Sequence, residues 1–137
     1  MRILPIIDQI KTNCALLSNR VEPAQSLMAL NDDEVVSNLP IVFVYPGKES
    51  GSENHLSNAT SQTVPLNVVC LIAAANSNGT YEPMEDVRDQ IKAALVGYQV
   101  SETHYPMRFV EGESLEISKR IIWWRDVYQT KVTLRNV

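Results

Sequence analysis

The 137-residue sequence contains little of the chemistry on which most enzymes depend. It has only two histidines, His55 and His104, and they lie far apart in polar segments. Neither histidine has cysteine or carboxylate neighbours at the spacing of a metal site. The sequence also lacks a GxSxG nucleophile turn, a Walker loop and a GxGxxG motif. We therefore expect no enzymatic activity, no metal and no cofactor.

Long apolar runs and an excess of basic charge are absent too. No segment approaches the roughly 18 apolar residues that a membrane span requires, and the N-terminal apolar run breaks at Asp8, unlike a secretory signal. The net charge is −4, whereas proteins that coat nucleic acid are usually basic. Cys14 and Cys70 each lie in an apolar pattern, which predicts buried free thiols. These features predict a soluble chain with no membrane partner.

Apolar residues at helical spacing predict two main helices, over about 3–18 and about 83–98. A shorter helix is predicted over 23–30, and the acidic run at 31–34 is expected to be a break between elements. On the second main helix, Arg88 and Lys92 lie beside three carboxylates, which predicts an exposed face with local ion pairs.

Strands are predicted from a buried apolar run at 40–46 and from clean alternation over 64–74 and 126–135. Two further strands are expected at 105–111 and 116–124, with Glu111, Glu113 and Glu116 solvated in a turn. The element order predicts an α+β fold, with a mixed, mainly antiparallel sheet flanked by two main helices. The length predicts one domain over 1–137, with a polar loop or extended hairpin at 47–63.

Adjacent tryptophans, Trp123 and Trp124, are the sharpest local feature of the sequence. In a strand they point to opposite faces of the sheet, so one can fill the core while the other faces solvent or a partner. A bulge that places both in the core is the alternative. A third possibility, a platform that stacks nucleobases, is disfavoured because few basic or aromatic residues flank the pair.

Four ordered landmarks resemble those of the tail terminator proteins of long-tailed bacteriophages, particularly Mu-like phages. They are residues 40–46 (PIVFVYP) followed by a polar loop and Gln62, residues 93–98 (AALVGY), residues 106–112 (PMRFVEG) and residues 124–130 (WRDVYQT). The last three are similar to the patterns L-x-G-W/Y, P-x-x-F-x-x-G and W-x-D-x-Y/F-x-T. The sequence departs from the family at Tyr98, where Trp is more usual, and at the extra Trp123. The resemblance covers roughly residues 1–135.

The resemblance implies a structural virion protein with no catalytic residues. Such proteins form a ring, usually a hexamer, at the head-proximal end of the tail tube. The ring ends tube polymerisation and joins the head connector. The partners implied are further copies of the chain, the tail tube protein and a head-completion or connector protein, with viral DNA passing through without specific binding. The expected location is the virion tail or neck, after assembly in the host cytoplasm.

Three alternatives remain at this point: another neck component (a tail-completion or head-closure protein), a host-interaction binding module, or an enzyme. For the assembly interface we expect aromatic, charged and amide residues near the tryptophan pair and in the polar segment. The residues are Trp123, Trp124, Arg125, Lys48, Glu49, Glu53, His55, Gln129 and Lys131.

Overall fold

The structure of the chain is a computed structural model that describes residues 1–49 and 61–135. The helices in this part are α1 (Leu4–Asn13), α2 (Asp32–Ser37) and α3 (Glu82–Leu95). The strands are β1 (Val21–Pro23), β2 (Ile41–Glu49), β3 (Ser61–Ala75), β4 (Arg108–Ile117) and β5 (Ile121–Arg135). Short 3-10 segments at Ala15–Leu17 and Ala24–Ala29 complete the order. The predicted α+β class is confirmed.

The strands form one mixed sheet in the order β1-β2-β3-β5-β4. Only β1 and β2 pair in parallel among the described strands, and the other neighbours are antiparallel. The central strands β3 and β5 pair along fifteen residues each. The mainly antiparallel sheet predicted from the strand patterns is therefore confirmed, with the three-residue β1 and the ten-residue β4 at its edges.

One face of the sheet, the helical face, packs against α1 and α3. The predicted apolar stripes meet there, and the side chain of Gln9 on α1 also donates to the carbonyl oxygen of Ala94 on α3 at 3.0 Å. Helix α1 ends earlier than the predicted residue 18, because Cys14 leaves helical geometry (φ −121°, ψ 85°) and a 3-10 turn follows. Both cysteines are buried and free, as predicted. The largest core residues on this face include Ile6, Ile10, Leu17, Ile72, Met84, Ile91, Leu95, Met107, Ile122 and Tyr128.

The opposite face, the rear face, is covered in part by α2 and the 3-10 segment Ala24–Ala29. A smaller core lies there, formed by Val35, Ile41, Phe43, Ala73 and Ile121. The expected break at 31–34 is wrong, because this acidic run begins α2. The side chain of Asn31 accepts a hydrogen bond from the Glu34 N–H at 2.9 Å. Carboxylates in a first helical turn also interact favourably with the helix dipole.

The predicted boundary between strands at 105–111 and 116–124 is wrong. One hairpin replaces them: β4 runs unbroken through Gly112, and the chain turns at 118–120 before β5. The Ser118 N–H donates to the Ile121 carbonyl oxygen at 2.9 Å and closes the turn. Glycine and serine within 112–114 suggested a turn, but the carboxylates beside them lie in a strand, exposed as expected. Two bulges, at Val110 and Leu115, interrupt the pairing of this strand with β5.

The polar segment predicted at 47–63 has its two ends in strands. Residues 47–49 belong to β2 and residues 61–63 to β3, which pair antiparallel. The central part of the segment lies outside the described residues. Within the described ranges, no helix has the length and apolar character needed to cross a membrane.

Candidate assembly interface

Strand β5 arranges the predicted interface residues by simple alternation. Trp123, Arg125, Gln129 and Lys131 share the rear face, and Trp124 lies on the helical face. Of the two interpretations of the pair, strand alternation is the one that applies: the tryptophans point to opposite faces, and each is half-buried rather than wholly in the core. The bulge that would have placed both indoles on one side does not occur between them, because β3 and β5 pair without interruption there.

Trp123 marks the boundary between the covered and the uncovered parts of the rear face. Its indole stacks on Phe43, with ring centroids 6.3 Å apart and planes inclined by 25°. It also lines a shallow, mainly apolar cavity of about 190 Å³, together with Leu27, Leu71 and Leu115. The indole is thus anchored on one side and open on the other.

A row of hydrogen bonds crosses the uncovered part of the rear face, from β4 to β2. Arg108 donates to the Gln129 side chain at 2.7 Å, and the Gln129 amide donates to the Asn67 side chain at 3.1 Å. Asn67 in turn donates to the carbonyl oxygen of Lys48 at 2.9 Å. The row holds polar side chains in fixed positions on a flat, half-exposed surface, which suits a polar protein contact better than a substrate cleft.

Arg125 lies beside this row and forms ion pairs with two carboxylates of β4. Its Nη1 atom is 3.4 Å from Glu111 Oε1 and 3.7 Å from Glu113 Oε1. The carboxylates are more than half exposed, so each pair contributes little to stability. Their effect is to hold the guanidinium at the surface of the sheet.

The other predicted interface residues are more scattered. The side chains of Lys131 and Lys48 are exposed, near the end of the rear face where β3 meets β5 and β2. Glu49 lies at the end of β2, where its carboxylate accepts a hydrogen bond from the N-terminal amino group at 2.8 Å. Glu53 and His55 lie outside the described residues. The structure therefore brings five of the nine residues to one face and leaves Trp124 and Glu49 away from it.

Trp124 belongs to a buried polar cluster beneath α3. Its indole N–H donates to Asp126 Oδ1 at 3.1 Å, and the Arg88 guanidinium lies over the ring, 4.3 Å from its centroid. Arg88 Nε and Nη2 also donate to the two carboxylate oxygens of Asp126, at 2.9 and 3.0 Å. The carboxylate is fully buried and is satisfied by these three donors.

The predicted exposed ion pairs on α3 are wrong for Arg88, whose side chain is only 9% exposed. Burial alone lowers the pKa of the Arg88 guanidinium, but the hydrogen bond and charge of Asp126, followed by those of Glu85, outweigh burial and raise that pKa. A signal for this placement was present in the sequence. Arg88 is four residues after Met84 and three before Ile91, so it belongs to the apolar stripe of the helix.

The buried cluster also restricts which residue can occupy position 112 of β4, where the chain has glycine. A Cβ atom at this position would overlap Asp126 Oδ1 and would lie 2.9 Å from Arg88 Nη2. A side chain is therefore excluded by the buried carboxylate opposite. Two of the landmark sequence patterns, 106–112 and 124–130, meet in this cluster, which is structural in character.

The described residues contain no group of three histidine, cysteine or acidic side chains placed to hold a metal ion. His104 approaches Ser101 Oγ through its Nδ1 atom, at 2.6 Å, on an exposed turn. The arrangement as a whole offers polar and aromatic contact surfaces built on a rigid sheet.

The comparisons with known proteins agree with this description. The family model described as "Phage tail terminator protein" matches residues 2–136. A chain in a solved structure described as "Virion of native gene transfer agent (GTA) particle" is similar in fold, with a TM-score of 0.63 and 15% sequence identity. The similarity covers 95% of this chain and 94% of that one. No curated protein matches the chain.

Proposed function

The chain belongs to the phage tail terminator family, and on that premise we propose that it is a non-enzymatic virion subunit that ends the growth of the tail tube. The observation that carries the proposal is the family match, which extends over residues 2–136. In this role several copies form a ring on the head-proximal end of the tube. The similarity to tail terminators implies six copies. The ring prevents addition of further tube subunits and presents a surface to the head connector.

The rear face supports this role physically. Its half-exposed tryptophan and arginine side chains are of the kinds enriched where proteins contact one another, and its amide side chains can form hydrogen bonds across such a contact. We propose that Trp123, Arg125 and Gln129, together with Lys131 and Lys48 at the margin, contact another virion subunit. The contact partners in this proposal are a further copy of the chain, the tube protein or the connector protein.

The charge of the chain fits the passage of DNA through such a ring. Each copy carries a formal charge of −4, so a ring of six would be strongly acidic. Like charge repels phosphate, and an acidic ring would therefore not retain the genome during passage. We propose that viral DNA passes through without specific binding.

Removal of the gene from its phage, followed by electron microscopy of the lysate, tests the proposed function. A terminator predicts tails of uncontrolled length, and a plasmid-borne copy should restore the normal length. Tails of normal length that remain unattached to heads would instead assign the chain to head–tail joining. Intact particles in this lysate, together with wild-type particles in which mass spectrometry finds no copy of the chain, would exclude a virion role.

A further inference from the structure

Strand β4 is an open edge of the sheet with apolar side chains in solvent. It pairs with β5 on one side, and no described strand lies on the other. Nine of its ten residues are exposed, among them Val110, Leu115 and Ile117, which retain 39%, 49% and 52% of their accessible surface. An edge strand with exposed apolar residues is a common site of protein association. At about 3.3 Å per residue, this edge is about 33 Å long.

The opposite edge of the sheet contains an apolar cavity. Strand β1 covers only three residues of β2, and beside it lies a cavity of about 230 Å³. Its lining includes Ile3 and Leu4 at the start of α1, Pro23 at the end of β1 with Ala24 after it, and Tyr45 and Pro46 of β2. Leu4, at the rim, is 71% exposed. The cavity has room for a branched aliphatic side chain.

The β4 edge and the β1–β2 edge also differ in charge. Glu111, Glu113 and Glu116 make β4 acidic, with Arg108 as the cation of the strand. Pairing of β4 with β4 of another copy would bring like carboxylates together, which is unfavourable. At the other edge, Lys48 is exposed, the N-terminal amino group neutralises Glu49, and β1 contributes the carboxylate of Glu22. Arg125 of β5 partly neutralises Glu111 and Glu113, but β4 is still the more acidic edge. In a head-to-tail contact it therefore meets an edge whose formal charges cancel, instead of a second acidic strand.

We propose that the β4 edge of one copy docks against the β1–β2 edge of a second copy, with Ile117 seated in the apolar cavity of that copy. The proposal rests on the proposed ring and names the surfaces that build it. A projecting side chain on one edge and a cavity on the opposite edge make a heterologous contact, which forms a ring when the rotation between copies closes. A stable contact needs about 1,000 Å² of buried surface or more, which an edge of this length can contribute to.

Chemical cross-linking in purified phage particles tests the contact. The native thiols of Cys14 and Cys70 are buried and leave engineered cysteines as the accessible sites. Particles carrying Leu4→Cys together with Ile117→Cys should give, with a short bis-maleimide, a ladder of cross-linked copies. Either substitution alone should leave the chain uncross-linked. Leu4→Cys with Met28→Cys is the matched control, because Met28 is 91% exposed but lies on neither edge strand.

The outcomes separate this inference from the proposed function. Dimers formed by Ile117→Cys alone would mean that β4 pairs with itself and would overturn the head-to-tail contact. Absence of a ladder, in particles shown by mass spectrometry to contain the chain, would also overturn it while leaving a virion role intact. Particles that lack the chain altogether would overturn the proposed function as well.

A second pair of variants guards against a failure of the cysteine variants to fold. Ile117→Asp places a charge at the seated side chain, and Met28→Asp places the same charge at an exposed apolar residue elsewhere. Both should keep the wild-type urea midpoint. In a phage lacking the gene, Met28→Asp should restore normal tails, and Ile117→Asp should lower the yield of such tails at least tenfold. Equal yields would contradict the proposed contact.

Discussion

The guanidinium of Arg88 and the carboxylate of Asp126 form a buried two-point ion pair that joins α3 to the centre of the sheet. The two donor–acceptor distances are 2.9 and 3.0 Å, and the side chains are 9% and 0% exposed. Two parallel hydrogen bonds of this type fix orientation as well as distance. The position of α3 on the sheet therefore depends on polar geometry in addition to apolar packing.

Removal of one member of this pair should destabilise the fold strongly. In Asp126→Asn the charge of Arg88 remains buried without its main partner, and such changes cost about 3–5 kcal/mol. We expect a loss of about 3 kcal/mol, near the lower end of that range, because Glu85 still lies 2.8 Å from Arg88 Nη1. Urea unfolding, followed by tryptophan fluorescence, measures the change in the free energy of unfolding.

The matched control is Asp33→Asn, which removes an ion pair at the surface. Arg120 and Asp33 lie 3.1 Å apart with side chains 56% and 86% exposed. Loss of this pair and of the Asp33 charge in the first turn of α2 should change the free energy of unfolding by no more than about 1 kcal/mol. Similar losses in the two variants would show that the buried pair has no special role.

Substitution of Gly112 should be costly for a steric reason that involves the same carboxylate. In Gly112→Ala the new methyl group overlaps Asp126 Oδ1, so strand or side chain must shift. Overpacking of this kind costs about 1–3 kcal/mol. The free energy of unfolding, measured in urea, should fall by that amount.

A double-mutant cycle identifies the cause of that loss. In an Asp126→Ala background the obstructing carboxylate is gone, so Gly112→Ala should cost less than it does in the wild type. We expect a coupling above about 0.5 kcal/mol, the limit for independent sites. Strict additivity of the two substitutions would instead attribute the effect of Gly112→Ala to the strand backbone.

The sequence was sufficient to predict the fold class because most elements have strong periodicity. Alternation in β3 and β5 and the apolar stripe of α3 identified three of the elements that build the sheet and its main helix layer. The order of the strands could not be predicted in this way. It depends on which edges meet in three dimensions, for example β5 between β3 and β4.

The sequence-based predictions were wrong where tertiary packing outweighed the local preference of a residue. Gly112 suggested a turn, but its lack of a side chain is needed to make room for the Asp126 carboxylate. The acidic run after Asn31 suggested a loop, but it forms the first turn of α2. Arg88 suggested an exposed face because charge usually means exposure, yet its partner is thirty-eight positions away. Nothing local to Arg88 identifies that partner.

The candidate interface was predictable in part from alternation alone. Gln129 and Lys131 were expected to share a face in a strand over 126–135, and they do; because β5 extends back to Ile121, Trp123 and Arg125 lie on that face as well. The row that joins Gln129 to Asn67 and Arg108 depends on the register of three strands, which no local pattern specifies. The cavity beside β1 likewise depends on how α1 meets β2.

Two buried hydroxyl groups should respond oppositely to their removal. Tyr128 Oη is buried and is without a hydrogen-bond partner among the described residues, and burial raises the pKa of this phenol. In Tyr128→Phe the ring keeps its edge contact with Phe109, so stability should stay equal or rise by up to about 1 kcal/mol. Phenylalanine is also the alternative residue in the pattern W-x-D-x-Y/F-x-T.

Thr130→Val is the comparison for that substitution, because the Thr130 hydroxyl donates to the carbonyl oxygen of Tyr105. Removal of this hydroxyl leaves the Tyr105 carbonyl oxygen without that donor and should lower the free energy of unfolding by about 1–2 kcal/mol. Both variants are measured in urea at neutral pH. A marked loss of stability in Tyr128→Phe would mean that the phenol makes a hydrogen bond essential to the core.

The stability of the fold should decline in alkaline solution, in part because Cys14 is buried. Burial raises the pKa of this thiol from an ordinary 9.0 to about 11, and burial followed by the charges of Asp126 and Cys14 raises that of Cys70 further. A raised pKa means that the folded state holds its proton more tightly than the unfolded state does. The contribution of Cys14 is therefore complete below pH 9 and is lost as the pH rises from 9 towards 11.

Comparison of the wild type with Cys14→Ala isolates most of this contribution, because Cys14 is only the smallest of the causes that raise the pKa of Cys70 and of Tyr128. At pH 8 the wild type should be the more stable, since alanine leaves a small cavity. The difference in the free energy of unfolding should then shrink between pH 9 and 11, because only the wild type has the thiol to ionise on unfolding. Leu17→Ala, a truncation in the same apolar cluster without a titrating group, should show a constant difference. If both differences stayed constant, Cys14 would have the same pKa in the folded and unfolded chains.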